Sequence, residues 1–148
     1  MIFVDIENIK NCGILYNDSL VIRKALIHDL EESETGDILY PLHHMNKEFK
    51  EKLDKVRDLC VENIVFEELP DLKDSYIRLW KRSKDKSREG HLVAMMDKFE
   101  ILMFSLKELS MGNESFRNIY ENAKNILKSE CRIQSVRDVL SEIEEMYG

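Results

Sequence analysis

Glycine and proline are scarce, five and two in the whole chain, and the three cysteines, Cys12, Cys60 and Cys131, show no CxxC spacing. The first scarcity excludes collagenous and low-complexity chains, and the second pattern offers neither a disulfide framework nor a zinc knuckle. Excess positive charge is missing too. Lys plus Arg number 22 against 29 Asp plus Glu, a formal net charge of −7, which argues against a surface made for nucleic acid polymers or anionic membranes. No apolar run approaches the roughly 20 residues of a membrane helix. Met1 to Lys10 lacks the basic, apolar, small-residue order of a signal peptide, so a reduced, cytoplasmic, membrane-free protein is expected. The GxSxG elbow and the Gly-rich phosphate loop are absent as well, which disfavours serine hydrolases and P-loop enzymes.

What is present is 43% hydrophobic and 34% charged residues over 148 positions, enough to bury a core. Apolar residues recur at three and four, which predicts about six to seven helices and an all-α domain. The first spans about Ile2 to Cys12 with Ile2, Ile6 and Ile9 in register and no cap ahead of it. The second runs from Asp18, as N-cap, through Leu20, Val21, Ala25 and Leu26 to about Glu32. Asn46 caps a third, with Phe49, Leu53, Val56, Leu59 and Cys60 on one face, ending near Leu69-Pro70. Asp71 caps a fourth, Leu72 to about Arg82, with Tyr76, Leu79 and Trp80 inward. A polar loop, Ser83 to Gly90, precedes the most apolar helix, His91 to about Met111, which is expected to be central and to stop at Gly112-Asn113. Glu114 to Lys128 and Gln134 to Met146 form two amphipathic helices.

Chemistry is concentrated in His28-Asp29-Leu30-Glu31-Glu32 and Thr35-Gly36-Asp37, six polar residues converging on one helix end. Adjacent helical positions diverge by about 100°, so His28 and Asp29 meet at one ion only where the helix is ending or in a groove between helices. Imidazole nitrogen and carboxylate oxygen suit a divalent cation, and Glu32 projects towards the same space. A solvated acidic helix end is the plainer alternative, although acids there oppose the helix dipole. Asp97, with Val93, Ile101 and Phe104 on its face, needs a positive partner, either a Lys or Arg or a metal. His43 and His44 are more simply solvated, Met95, Met96 and Met103 core filling, and Lys81, Arg82, Lys84, Lys86 and Arg88 a solvated basic loop that could steer phosphate.

The run from Ala25 to Ile38 resembles the HDxxExxTGD signature of YfbR-like 5′-deoxynucleotidases, a branch of the HD-domain phosphohydrolases. Leu92 to Asn113 resembles the family's later helix, in which an aspartate closes the metal site and Gly-Asn ends the helix. The resemblance, from about Asp18 to Lys128, implies an HD-domain helical bundle, usually a homodimer, with one divalent cation (Mn, Co, Mg or similar) held by His, His, Asp and Asp. Three of these fall on His28, Asp29 and Asp97. The fourth is an upstream histidine, and none precedes His28 here; the family spacing places it ahead of Met1. The expectation is a single HD-type domain over 1–148 lacking its N-terminal helix segment, with Asp5 or Glu7 as substitutes in principle. The implied activity is metal-dependent hydrolysis of (deoxy)nucleoside 5′-monophosphates to nucleoside and phosphate. Glu32 is the candidate for acid/base work, and family precedent places Asp37 near the sugar hydroxyl. The alternative is a non-catalytic HD-fold binding or regulatory module with an incomplete metal site.

Overall fold

A computed structural model describes residues 1–11, 15–36, 46–67 and 69–147. Among them there is no strand, and the helices are α1 (Ile2–Lys10), α2 (Asp18–Ile27), α3 (Glu32–Thr35), α4 (Lys47–Cys60), α5 (Pro70–Lys81), α6 (Arg88–Ser110), α7 (Arg117–Glu130) and α8 (Gln134–Tyr147). A π-helical turn, Val61–Val65, prolongs α4, and a 3₁₀ turn, Glu114–Phe116, leads into α7. No helix of the described residues is long and apolar enough to cross a membrane. The chain divides into two compact units, Met1–Ile22 with Lys84–Gly148, and Arg23–Ser83.

In the first unit α6 is the central element, as its apolar sequence predicts. Leu92, Met95 and Leu102 are buried with Tyr120, Ala123 and Leu127 of α7 and Val136, Leu140 and Ile143 of α8. Met103 and Phe104 lie on the far side of α6 and are exposed, which corrects the assignment of Met103 to the core. The register of α1 also differs from expectation. Ile2 and Ile9 point to solvent while Val4 and Glu7 are buried, because the Glu7 carboxylate accepts the Ser135 N–H at 2.7 Å in the first turn of α8. A buried acid that caps another helix satisfies both the orphan donor and its own charge.

Three helix starts are displaced from the sequence-based assignment. Asn17, not Asp18, caps α2: its Oδ1 accepts the Leu20 N–H at 3.0 Å, the N3 donor that a cap side chain reaches. Asp71 does not cap α5, which begins one residue earlier with Pro70 in the first turn, where proline's fixed φ is helical and its missing N–H costs nothing. Ser87 caps α6 by accepting from Gly90 N, so the helix starts at Arg88 within the expected loop. The end of α6 follows the glycine rule. Gly112 has φ +87°, its N–H donates to Leu109 O at 2.9 Å, and the Asn113 N–H donates to Glu108 O at 3.0 Å, the two bonds of a Schellman motif.

Gly90 is required for another reason. It is buried, and a Cβ there would stand 2.5 and 2.7 Å from the backbone O and N of Asp85, atoms that a turn cannot readily move. Gly90→Ala should therefore destabilise the protein by roughly 1–3 kcal/mol, the usual cost of overpacking, read as a lower urea midpoint at an unchanged slope.

The second unit is built on α4, the π turn and α5. The half-buried face of α4 runs through Phe49, Leu53, Arg57 and Cys60, whereas Val56 and Leu59 are exposed. The wider π turn then turns Val61 and Phe66 inward, both buried, and Phe66 stacks at a tilt on Tyr76 of α5 with ring centroids 5.9 Å apart. The last turns of α2 also belong here. Ile27 is buried, but Leu26 is 81% exposed and the inward position is taken by Lys24. The Lys24 ammonium donates to Arg82 O at 2.7 Å, a cation on a carbonyl at the α5 C-terminus, where the helix dipole favours it.

Candidate functional site

α2 ends at Ile27, and residues 28–31 form a turn joined by looser bonds, Leu30 N–H to Ile27 O at 3.2 Å and Glu32 N–H to Asp29 O at 3.0 Å. In this turn the adjacent side chains of His28 and Asp29 no longer diverge: His28 Nε2 lies 2.6 Å from Asp29 Oδ2. The other ring nitrogen, Nδ1, lies 2.7 Å from the carbonyl oxygen of Ala25. That oxygen can only accept, so Nδ1 carries a proton, and the Nε2 position is aimed at a carboxylate. Two acceptors at such a distance repel unless a cation bridges them, either a proton or a metal ion. A backbone carbonyl that fixes the tautomer through the remote nitrogen is also the usual support of a metal-binding histidine. The donor set therefore fits a divalent cation.

The neighbouring acids do different things. Glu31 is turned inward, its side chain 9% exposed; Oε2 accepts the Trp80 indole N–H at 2.7 Å, and Oε1 lies 3.7 Å from Arg57 Nε. Glu32, first residue of α3, is half-buried, and Glu34 is exposed. Ser33 and Thr35 turn back onto the main chain, Ser33 donating to Leu30 O and Thr35 to Glu31 O. Among the described residues of this polar run, Glu31 is thus turned inward, while Ser33 and Thr35 are bonded back onto the main chain. Asp37, His43 and His44 lie outside the described residues.

Asp97 belongs to the first unit. Its side chain is 22% exposed and Oδ2 lies 3.1 Å from Lys84 Nζ and 3.4 Å from Lys98 Nζ. The positive partner that its helix face demands is thus visible as two lysines. Of the basic cluster, Lys81 is held by Asp58 at 3.2 Å and Glu62 at 3.4 Å, and the hydrogen bond it donates to Asp58 foremost keeps its ammonium above the usual lysine range. Of the suggested substitute ligands, Glu7 is committed to α8 and Asp5 is exposed. What sequence reasoning missed is the buried Glu31 and Lys24. The one available signal was Trp80, the sole tryptophan, whose indole N–H needs an acceptor when buried.

Comparison with known proteins accords with this fold and turn. The family described as 5′-deoxynucleotidase YfbR-like matches residues 2–147, and the chain belongs to that family. A 5′-deoxynucleotidase of Erwinia tasmaniensis is 28% identical over 112 residues, 75% of this chain and 56% of the relative. A 5′-deoxynucleotidase of Dictyostelium discoideum is 29% identical, covering 80% and 54%, and the 5′-deoxynucleotidase YfbR of Salmonella typhi 27%, covering 76% and 56%. The chain spans about half the length of the curated relatives it matches. No solved structure matches.

Proposed function

We propose that this chain is a metal-dependent phosphohydrolase that converts (deoxy)nucleoside 5′-monophosphates to nucleoside and phosphate. The observation that carries the reading is the close approach of His28 Nε2 to Asp29 Oδ2, with the other ring nitrogen held on Ala25 O, within the family's motif. His28 and Asp29 would hold the cation, with Asp97 as the ligand contributed by α6. A divalent cation supplies Lewis acidity to phosphoryl and water oxygens and offsets the charge of a dianionic substrate on an acidic protein. Glu32 accepts a proton from the attacking water and returns it to O5′ as the P–O5′ bond breaks, so that water and monoester become alcohol and phosphate. Asp37 orients the sugar hydroxyl. Exposed apolar residues such as Ile2, Ile9 and Leu26 suit a helix-mediated homodimer, and the free thiols of Cys60 and Cys131 suit the cytoplasm.

A non-catalytic HD-fold module is the second reading, favoured by one observation: Lys84 and Lys98 already neutralise Asp97. Phosphate release from ribo- and deoxyribonucleoside monophosphates, measured with Mn²⁺, Co²⁺ and Mg²⁺, separates the two. Release that stops on brief EDTA treatment and returns with metal is expected, with a modest change in melting temperature, since an open shell of three protein ligands exchanges readily. Metal binding without turnover of any nucleotide would leave the module.

A further inference from the structure

We propose that Glu31 is the positioning residue of the His28–Asp29 pair, and that Trp80, through its bond to Glu31, reports on that pair; the metal-binding part of this proposal rests on the function proposed above. The turn at residues 28–31 is held by i to i+3 bonds of 3.0–3.3 Å, whose geometry is poorer than that of the i to i+4 ladder of α2. Glu31 closes it from both sides. Its carboxylate is tied to α5 by Trp80 at 2.7 Å and faces Arg57 of α4 at 3.7 Å, while its carbonyl accepts the Thr35 N–H at 3.0 Å and the Thr35 hydroxyl at 3.2 Å, starting α3.

Stability alone does not account for a carboxylate in that place. Burying an ion is costly, and replacing a buried pair by apolar residues is often neutral or stabilising; in some proteins such groups are retained because they fix one conformation. Here the conformation fixed is the one in which Nε2 of His28 meets Oδ2 of Asp29. The polar anchor ties the turn to α5 and α4. The indole bonds directly to Glu31, three residues after His28 in the same turn, so a change at the pair that shifts the turn reaches the sole tryptophan.

The test compares Glu31→Ala, Glu31→Gln and Trp80→Phe in the full chain. Gln keeps an acceptor for the indole, and Phe keeps the ring but not the donor. In metal-free protein, the ¹⁵N signals of the His28 ring should show the Nδ1-protonated pattern in wild type and Glu31→Gln and lose it in Glu31→Ala, with far-ultraviolet circular dichroism unchanged in all. With Mn²⁺ as probe, Glu31→Ala should weaken binding by roughly 10–100-fold, as loss of a supporting partner does elsewhere, Trp80→Phe should fall between, and Glu31→Gln should restore most of the affinity. Co²⁺ or Mn²⁺ should alter Trp80 emission in wild type but not in Glu31→Ala. Unchanged His28 signals in a folded Glu31→Ala protein overturn the positioning role. Altered signals in Glu31→Ala, together with a wild type that binds no Mn²⁺, uphold the clamp and overturn the metal reading. If Glu31→Gln behaves like Glu31→Ala, the indole bond is not the link.

Discussion

Glu32→Gln is expected to lower turnover of a nucleoside 5′-monophosphate by roughly 10²–10⁴-fold, the usual worth of a positioned acid/base group. The substitution is isosteric, and Glu32 is half-buried at the first position of the short helix α3, so packing survives. Melting temperature and Mn²⁺ affinity should stay near those of wild type. The contrast with its neighbour sharpens the test. Glu31 carries the same carboxylate one residue earlier, but it is aimed at Trp80 and Arg57, so its replacement should act first on metal affinity. A Glu32→Gln protein with full turnover would remove Glu32 from the reaction, whereas loss of both turnover and metal would make it a ligand.

Asp97→Asn carries the second large effect. If Asp97 is a ligand, its amide should cost more than the roughly 10–100-fold in metal affinity attributed to supporting partners, with turnover falling in proportion to occupancy. If it serves only to pair with lysine, the structure limits the penalty. Asp97 is 22% exposed, and Lys84 and Lys98 are 33% and 35% exposed, so both cations can turn to water when the charge is removed. Ion pairs of this exposure contribute about 0–1 kcal/mol, well short of the several kcal/mol of a fully buried pair. Calorimetric Mn²⁺ titration beside urea denaturation separates these: an unchanged Mn²⁺ affinity would take Asp97 out of the metal centre. Lys84→Met is the companion variant. Freed of one competing cation, Asp97 should bind Mn²⁺ more tightly, and a weaker affinity instead would mean that Lys84 supports the site.

How far the sequence reaches is seen at individual residues. Periodicity and punctuation are local properties, so the helix ends at Asn46, with its bond to Phe49 N, and at Gly112-Asn113 were readable, as was the central role of α6. The family was readable because the HDxxExxTGD run is contiguous, and the match over residues 2–147 upholds it. Where two candidates stood side by side, local chemistry could not choose: Asn17 or Asp18 can each cap α2, and in the fold Asn17 takes the Leu20 N–H while Asp18 accepts from the Asn8 amide of α1.

The inward register of α1 and α2 was not readable either. Apolar spacing favoured Ile2, Ile9 and Leu26, yet Glu7 and Lys24 are the buried residues. Each is a charged group that meets a helix end on a distant part of the chain, Ser135 N and Arg82 O. Burial of a charge is decided by its partner, and partners far apart in sequence exist only once the chain has folded. The same holds for the acids after Asp29. The spacing from His28 singled out Glu32 but assigned no place to Glu31, and it is Trp80 and Arg57, brought up by α5 and α4, that draw Glu31 inward. Composition, periodicity and contiguous motif determined the all-α class and the family; long-range pairing of buried charges decided which side of α1, of the last turns of α2 and of the turn after it faces inward.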